Sequence, residues 1–212
     1  MNVAIVDYGI GNLGSIIKAF RHVGVDPVLT GDHAELDAAD VLVLPGDGAF
    51  AWSIAELERR GLVSLLKRAA ASGKTLIGIC IGMQLLFEES EEHGRYAGLA
   101  LLPGRVRRFE GDLPVPHMGW NALKRTRQHP VLDSVRPGDR VYFIHSYYCD
   151  ADPDVVLATC DYGVDFAAVV ARDNILGFQF HPEKSQRVGL GMVESLVRFC
   201  RGRVASVAEV QT

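Results

Sequence analysis

Lys74-Thr-Leu-Ile-Gly-Ile-Cys-Ile-Gly-Met-Gln84 is the stretch on which the reading of this chain turns. Thr75–Ile79 is an apolar run with β-branched residues, which predicts a buried strand. Cys80 follows at once, and Met83, Leu85, Leu86 and Phe87 then carry a helical spacing. Gly78 and Gly82 stand two residues to either side of the cysteine. A strand, a sharp turn and a helix, with small neighbours around one nucleophilic side chain, make the pattern of a nucleophile elbow. Such a turn holds the side chain at the end of a sheet. The start of the next helix points backbone N–H groups at it, an environment suited to a sulfur nucleophile. The stretch therefore predicts an enzyme that attacks a carbonyl carbon with sulfur.

Outward from that strand, the first half of the chain alternates. Residues 3–7, 25–29 and 41–44 are expected strands, and residues 13–23 and 55–71 expected helices. Strands separated by helices pair in parallel, so the expected fold is α/β: a three-layer sandwich with a flavodoxin-like core and a mostly parallel sheet. The second half changes character. Short β-like runs at 105–109, 122–124, 140–148, 155–159, 166–171 and 175–180 predict antiparallel strands added to that sheet. A helix over 185–203 closes it, and residues 204–212, without periodicity, are expected to fray. Residues 1–203 are read as a single domain.

A chain of 212 residues is long enough to bury a real core. A net charge of −4 and the lack of any Lys/Arg run exclude the basic field that holds nucleic acid or an anionic membrane. No apolar stretch approaches the length of a membrane span, and no basic segment precedes the short apolar run at the start. Cys80, Cys149, Cys160 and Cys200 are scattered and form no CxxC pair, against a zinc site or a disulfide framework. The expectation is a soluble protein of the reducing cytoplasm, with no metal and no cofactor.

A cysteine nucleophile needs a base and a group that orients the base. His181 follows Ile175-Leu-Gly-Phe-Gln-Phe180, so it stands at the end of a strand, where reacting groups gather in a parallel sheet. Pro182 pushes His181 toward an extended backbone. Glu183 then falls on the same side, where its carboxylate can accept from the imidazole and fix its tautomer. Either residue type alone has a plain structural explanation, since cysteines are usually buried and inert. Chain order and placement at two strand ends together favour a triad of Cys80, His181 and Glu183. Oxyanion donors are expected from the backbone of Ile81 and of the turn Gly46-Asp47-Gly48 after the third strand. Glycine also favours an ordinary strand-to-helix turn at that place.

A rival motif lies near the N-terminus. Gly9-Ile-Gly-Asn-Leu-Gly14 is a literal G-x-G-x-x-G after a strand, and Asp32 lies near the end of the second strand. The alternative is a nicotinamide- or flavin-binding protein. Against it, Asp7 and Tyr8 put a charge and a ring where a phosphate turn must be tight, and 212 residues leave little room for a substrate domain.

Gly78-Ile-Cys80-Ile-Gly-Met-Gln84, followed much later by His181-Pro-Glu183, resembles the triad-type (class I) glutamine amidotransferases. Asp7-Tyr-Gly-Ile-Gly-Asn12, Pro45-Gly-Asp-Gly-Ala-Phe50, Met118-Gly-Trp-Asn121, Tyr142-Phe-Ile-His-Ser-Tyr147 and Gly177-Phe-Gln-Phe-His-Pro-Glu-Lys-Ser185 are similar to one branch of that family. That branch supplies ammonia to a cyclase of histidine biosynthesis. The resemblance implies that Cys80 attacks the side-chain amide of glutamine and forms a γ-glutamyl thioester. His181 would protonate the leaving ammonia and then activate water, with Glu183 orienting it. Gln84 and Glu92 match positions that bind glutamine. Ammonia would pass unexposed into a (β/α)8-barrel cyclase subunit in a heterodimer. Tyr142, Lys184 and Asn12 match positions at that interface. Asp47 departs from the pattern, which has an apolar residue between the two glycines, and a carboxylate there would oppose an oxyanion unless it points away. Relatives serve other acceptors, in modified sugar or nucleotide pathways, so the acceptor stays open.

Overall fold

The computed structural model describes residues 1–210, and side chains through residue 206. Strand β1 (Val3–Val6) reads Val-Ala-Ile-Val and is buried at every position. No residue alternates to solvent, as befits a parallel strand covered on both faces. Helix α1 (Leu13–His22) follows, burying Ile16, Ala19 and Phe20 at the i, i+3, i+4 spacing of one helical face. Strand β2 (Val28–Thr30), helix α2 (His33–Ala38) and strand β3 (Val41–Leu44) continue the alternation. The second strand is shorter than expected because it starts after Pro27, which has no N–H to give a ladder.

The expected helix over 55–71 is two helices, α3 (Phe50–Arg59) and α4 (Leu62–Ala71). Gly61 between them takes φ +69°, and its N–H caps Glu58 O. A left-handed glycine ends a helix even where the apolar spacing runs on. Strand β4 (Thr75–Ile79) leads to Cys80, and helix α5 (Ile81–Gln84) is a single turn rather than the longer helix expected. The carbonyls of Leu85, Leu86 and Phe87 accept instead from Leu99, Leu101 and Ala100.

The remaining strands are β5 (Glu89–Ser90), β6 (Tyr96–Ala97), β7 (Gly104–Arg108), β8 (His117–Ala122), β9 (Lys124–Arg125), β10 (Arg140–His145), β11 (Tyr147–Ala151), β12 (Val156–Asp161), β13 (Asp165–Arg172) and β14 (Ile175–Phe178). Among the described residues the main sheet has eight strands in the order β2-β1-β3-β4-β14-β13-β12-β9. Neighbours are parallel from β2 through β14 and antiparallel from β14 to β9. The run expected over 140–148 breaks at Ser146. Its two halves pair elsewhere, β10 with β8 and β11 with β7, in two small separate sheets. Among the described residues only β9, β12 and β13 extend the main sheet beyond β14, a correction to the expectation that all the later strands join it.

Helix α6 (Gln186–Val210) packs against α1 and β10 and carries on through residues 204–210, where fraying was expected. Adding residues to an existing helix needs no new nucleus. Residues 211–212 lie outside the described part. Among the described residues no helix is long and apolar enough to cross a membrane.

The N-terminal glycines do not build a phosphate cradle. Tyr8 is fully buried, and its hydroxyl donates to Pro45 O at 2.6 Å. A Cβ on Gly11 would sit 3.2 Å from Pro45 Cβ. Asp32 accepts from Ala34 N and Glu35 N as the N-cap of α2, so its carboxylate is committed to a helix end. The dinucleotide alternative is set aside on these contacts.

Candidate active site

Cys80 takes φ 56° and ψ −113°. Positive φ at a residue with a side chain costs about 1–3 kcal/mol and persists only where the surroundings enforce it. They do so here. Cys80 N donates to Phe178 O of the neighbouring strand at 2.7 Å, and Gln84 N returns to Cys80 O at 3.1 Å. A Cβ on Gly78 would lie 2.6 Å from Met83 Cα, and one on Gly82 would collide with Leu44 O. The flanking glycines are what let the elbow fold back onto β3.

His181 stands just past β14, beside β4, as the parallel register requires. Its Nδ1 meets Glu183 Oε1 at 2.7 Å, with the two side chains 4% and 2% exposed. Burial, the largest influence on the imidazole, pushes its pKa down. The nearby Cys80 sulfur and the Glu183 carboxylate together outweigh that and hold it up at about 10. The ring therefore keeps a proton at neutral pH, in position to pass it to a departing amine. The backbone around it is stitched to β10: His181 N donates to Tyr142 O, Tyr142 N to Ser185 Oγ, and Ser185 Oγ to His181 O.

Cys80 and His181 line one cavity of about 310 Å³, with Asp47, Gly48, Ile81, Gln84, Glu92 and Lys184 also on its walls. That volume suits a small polar ligand. Glu183 stands behind His181. Gly46 lies under the elbow, where a Cβ would be 2.8 Å from Gly82 N. Asp47 is exposed. Glu92 is less free than expected, since its Oε2 accepts from Phe50 N at 2.6 Å and ties the end of the Gly46–Gly48 turn. Gln84 donates to Tyr147 O and Gln179 Oε1. Tyr142 packs its ring against Trp120, and Asn12 begins α1 away from the cavity walls. Pro116, Ile144, His145, Ser146 and Tyr147 complete the lining, and no sequence pattern singled them out as such. Ile144 to Tyr147 arrive through the break at Ser146, and Pro116 just before β8. Among the described residues no group of three or more His, Cys, Asp or Glu side chains could hold a metal ion.

The family model "Glutamine amidotransferase class-I" matches residues 4–194. The chain is 50% identical over 199 residues to the imidazole glycerol phosphate synthase subunit HisH of Salinibacter ruber, covering 90% of this chain and 91% of that one. It is 48% identical over 201 residues to the subunit of the same name from Syntrophotalea carbinolica, covering 91% and 98%. Among solved structures, a glutamine amidotransferase superposes with a TM-score of 0.73 at 19% identity, covering 97% of this chain and 100% of that one. PurLQS from Thermotoga maritima superposes with a TM-score of 0.72 at 20% identity, covering 93% and 98%. The solved structures agree on the fold, and the family match spans both the cysteine elbow and the His181 strand end. The chain belongs to the class I glutamine amidotransferases.

Proposed function

We propose that this chain is the glutaminase subunit of an imidazole glycerol phosphate synthase, hydrolysing glutamine and delivering the ammonia to a cyclase partner. The single observation that carries the reading is a cysteine held at a strained elbow, on the same cavity as a histidine whose far nitrogen is bound by a buried carboxylate. The Cys80 sulfur attacks the γ-carbonyl carbon of glutamine. His181 gives its proton to the leaving ammonia and then takes one from water, which releases glutamate from the thioester. Backbone N–H groups of Ile81 and of the Gly46-Asp47-Gly48 turn receive the oxyanion. Gln84 and Glu92 hold the substrate, and residues 1–203 act as one domain.

The partner is a (β/α)8-barrel cyclase, and the two chains form a cytoplasmic heterodimer without nucleic acid or membrane. The outward face of the β8–β10 pair supports this. Met118 and Trp120 are 59% and 39% exposed, opposite Ile144 and Tyr142 in register, and Ile144 and Lys184 also line the cavity. An exposed apolar strip beside an active-site mouth is a surface to be covered. Tyr142, Lys184 and Asn12 are assigned to that interface. Treatment with 6-diazo-5-oxo-norleucine tests the chemistry: the adduct belongs on Cys80, and mass spectra showing an unmodified Cys80 would sink the glutaminase reading.

A further inference from the structure

Gln84 is 1% exposed and lines the cavity with Cys80. Its Nε2 donates to Tyr147 O at 3.0 Å and to Gln179 Oε1 at 3.1 Å. Both amide protons are thereby used. Turning the amide over would set Oε1 against the Tyr147 carbonyl, two acceptors with no proton between them. Oε1 is therefore left as a buried acceptor without a partner in the folded chain. Such a group is costly to leave unmatched, so it marks a place where something donates.

The Tyr147 carbonyl, which sets this orientation, is itself held in place. Tyr147 O also accepts from His145 Nδ1 at 2.7 Å. A carbonyl has no proton to give, so Nδ1 carries it. Burial pushes the His145 pKa down to about 3, so the ring is neutral and Nε2 is a bare lone pair. That lone pair faces His117 Nδ1 at 3.0 Å, which must donate to it. The His117 ring stacks on Tyr162 and on Phe143, with centroids 4.0 and 5.1 Å away. Gln179 is fully buried, and its backbone N–H donates to Ala168 O at 3.0 Å, while its side-chain Nε2 has no partner in the folded chain, so its Oε1 is turned toward Gln84 by the bond to Gln84 Nε2. His145 lines the cavity, yet both its nitrogens are engaged, so it has none to offer the substrate.

We propose that His145 and Gln179 are positioning residues for glutamine hydrolysis: they lock the Gln84 carboxamide so that Oε1 accepts an N–H of the bound substrate. The inference rests on the reading of Gln84 as a residue that holds glutamine. Neither positioning residue touches the reacting atoms. His145 acts by holding the Tyr147 carbonyl where Gln84 Nε2 meets it, and Gln179 by supplying the second acceptor for that Nε2.

The test is steady-state glutaminase kinetics and thermal melting of the complex with its cyclase, for the wild type, H145L, H145N and Q179M. H145L and Q179M should raise KM for glutamine roughly tenfold, the equivalent of one hydrogen bond, with kcat changed far less. H145N places an N–H donor near the position of Nδ1 and should restore KM to within about threefold of wild type. Wild-type KM in Q179M and H145L would overturn the proposal. So would an H145N as impaired as H145L while melting like wild type, because the imidazole would then matter only as packing. Should H145L fail to fold, Q179M and H145N carry the test. A wild-type complex that neither hydrolyses glutamine nor takes the diazo label on Cys80 would instead overturn the glutaminase reading.

Discussion

Replacing Glu183 with Gln removes one charge from behind the imidazole and nearly preserves its shape. The Nδ1–Oε1 distance is 2.7 Å and both side chains are buried, so the contact is short, dry and charge-assisted. Hydrogen bonds of that kind are worth about 1.5–3 kcal/mol. At about 1.36 kcal/mol per unit, this is ~1–2 pKa units. His181, held at about 10, should then titrate near ~8–9 in the variant. The same energy lost at the transition state lowers kcat by ~10–100-fold. The folded pKa lies above the ordinary 6.5, so the contact stabilises the fold fully below pH 6.5 and loses its effect as pH rises through about 10. In the variant that loss is complete at a lower pH. NMR titration of the histidine side chains, with kcat measured alongside, checks both numbers. A variant whose His181 still titrates near 10, with kcat intact, would show that Glu183 neither holds the proton nor orients the ring.

Gly82→Ala should cost about 1–3 kcal/mol in denaturant unfolding and abolish diazo labelling, because the new methyl lands on Leu44 O under the elbow. Asp32→Ala should cost about 1 kcal/mol by loss of the α2 cap while leaving glutamine turnover unchanged; a loss of turnover would mean that Asp32 serves the site. Tyr8→Phe leaves Pro45 O without its donor and should destabilise by about 1–3 kcal/mol, read by chemical denaturation; an unchanged midpoint would show that the buried hydroxyl contributes nothing.

The parallel half of the fold was legible because β1 and β3 are apolar at every position and β4 nearly so, and length and β-branching separate them from helices. The elbow and the His181–Glu183 pair were legible for the same reason: each sits at the end of such a strand. What lay hidden depends on contacts between distant segments. Residues 140–148 read as one strand because alternation runs through Ser146, and only pairing with β8 and β7 shows that the chain changes sheet there. Gly61 ends α3 inside a continuous helical spacing, a local signal outweighed by its apolar neighbours. The lock on Gln84 joins positions 84, 147 and 179, whose adjacency no spacing rule encodes. Glu92 could be placed by resemblance, but its bond to Phe50 N could not.

The chain has four thiols, all buried, and among them only Cys80 opens on the cavity. Burial drives the Cys149 pKa well up and lifts Cys160 and Cys200 to about 12, so these three stay protonated and sluggish toward disulfide exchange. A colorimetric disulfide reagent thus becomes a counter of competent molecules. Native protein should release one equivalent promptly and denatured protein four, and the ratio would grade any preparation before substrate is added.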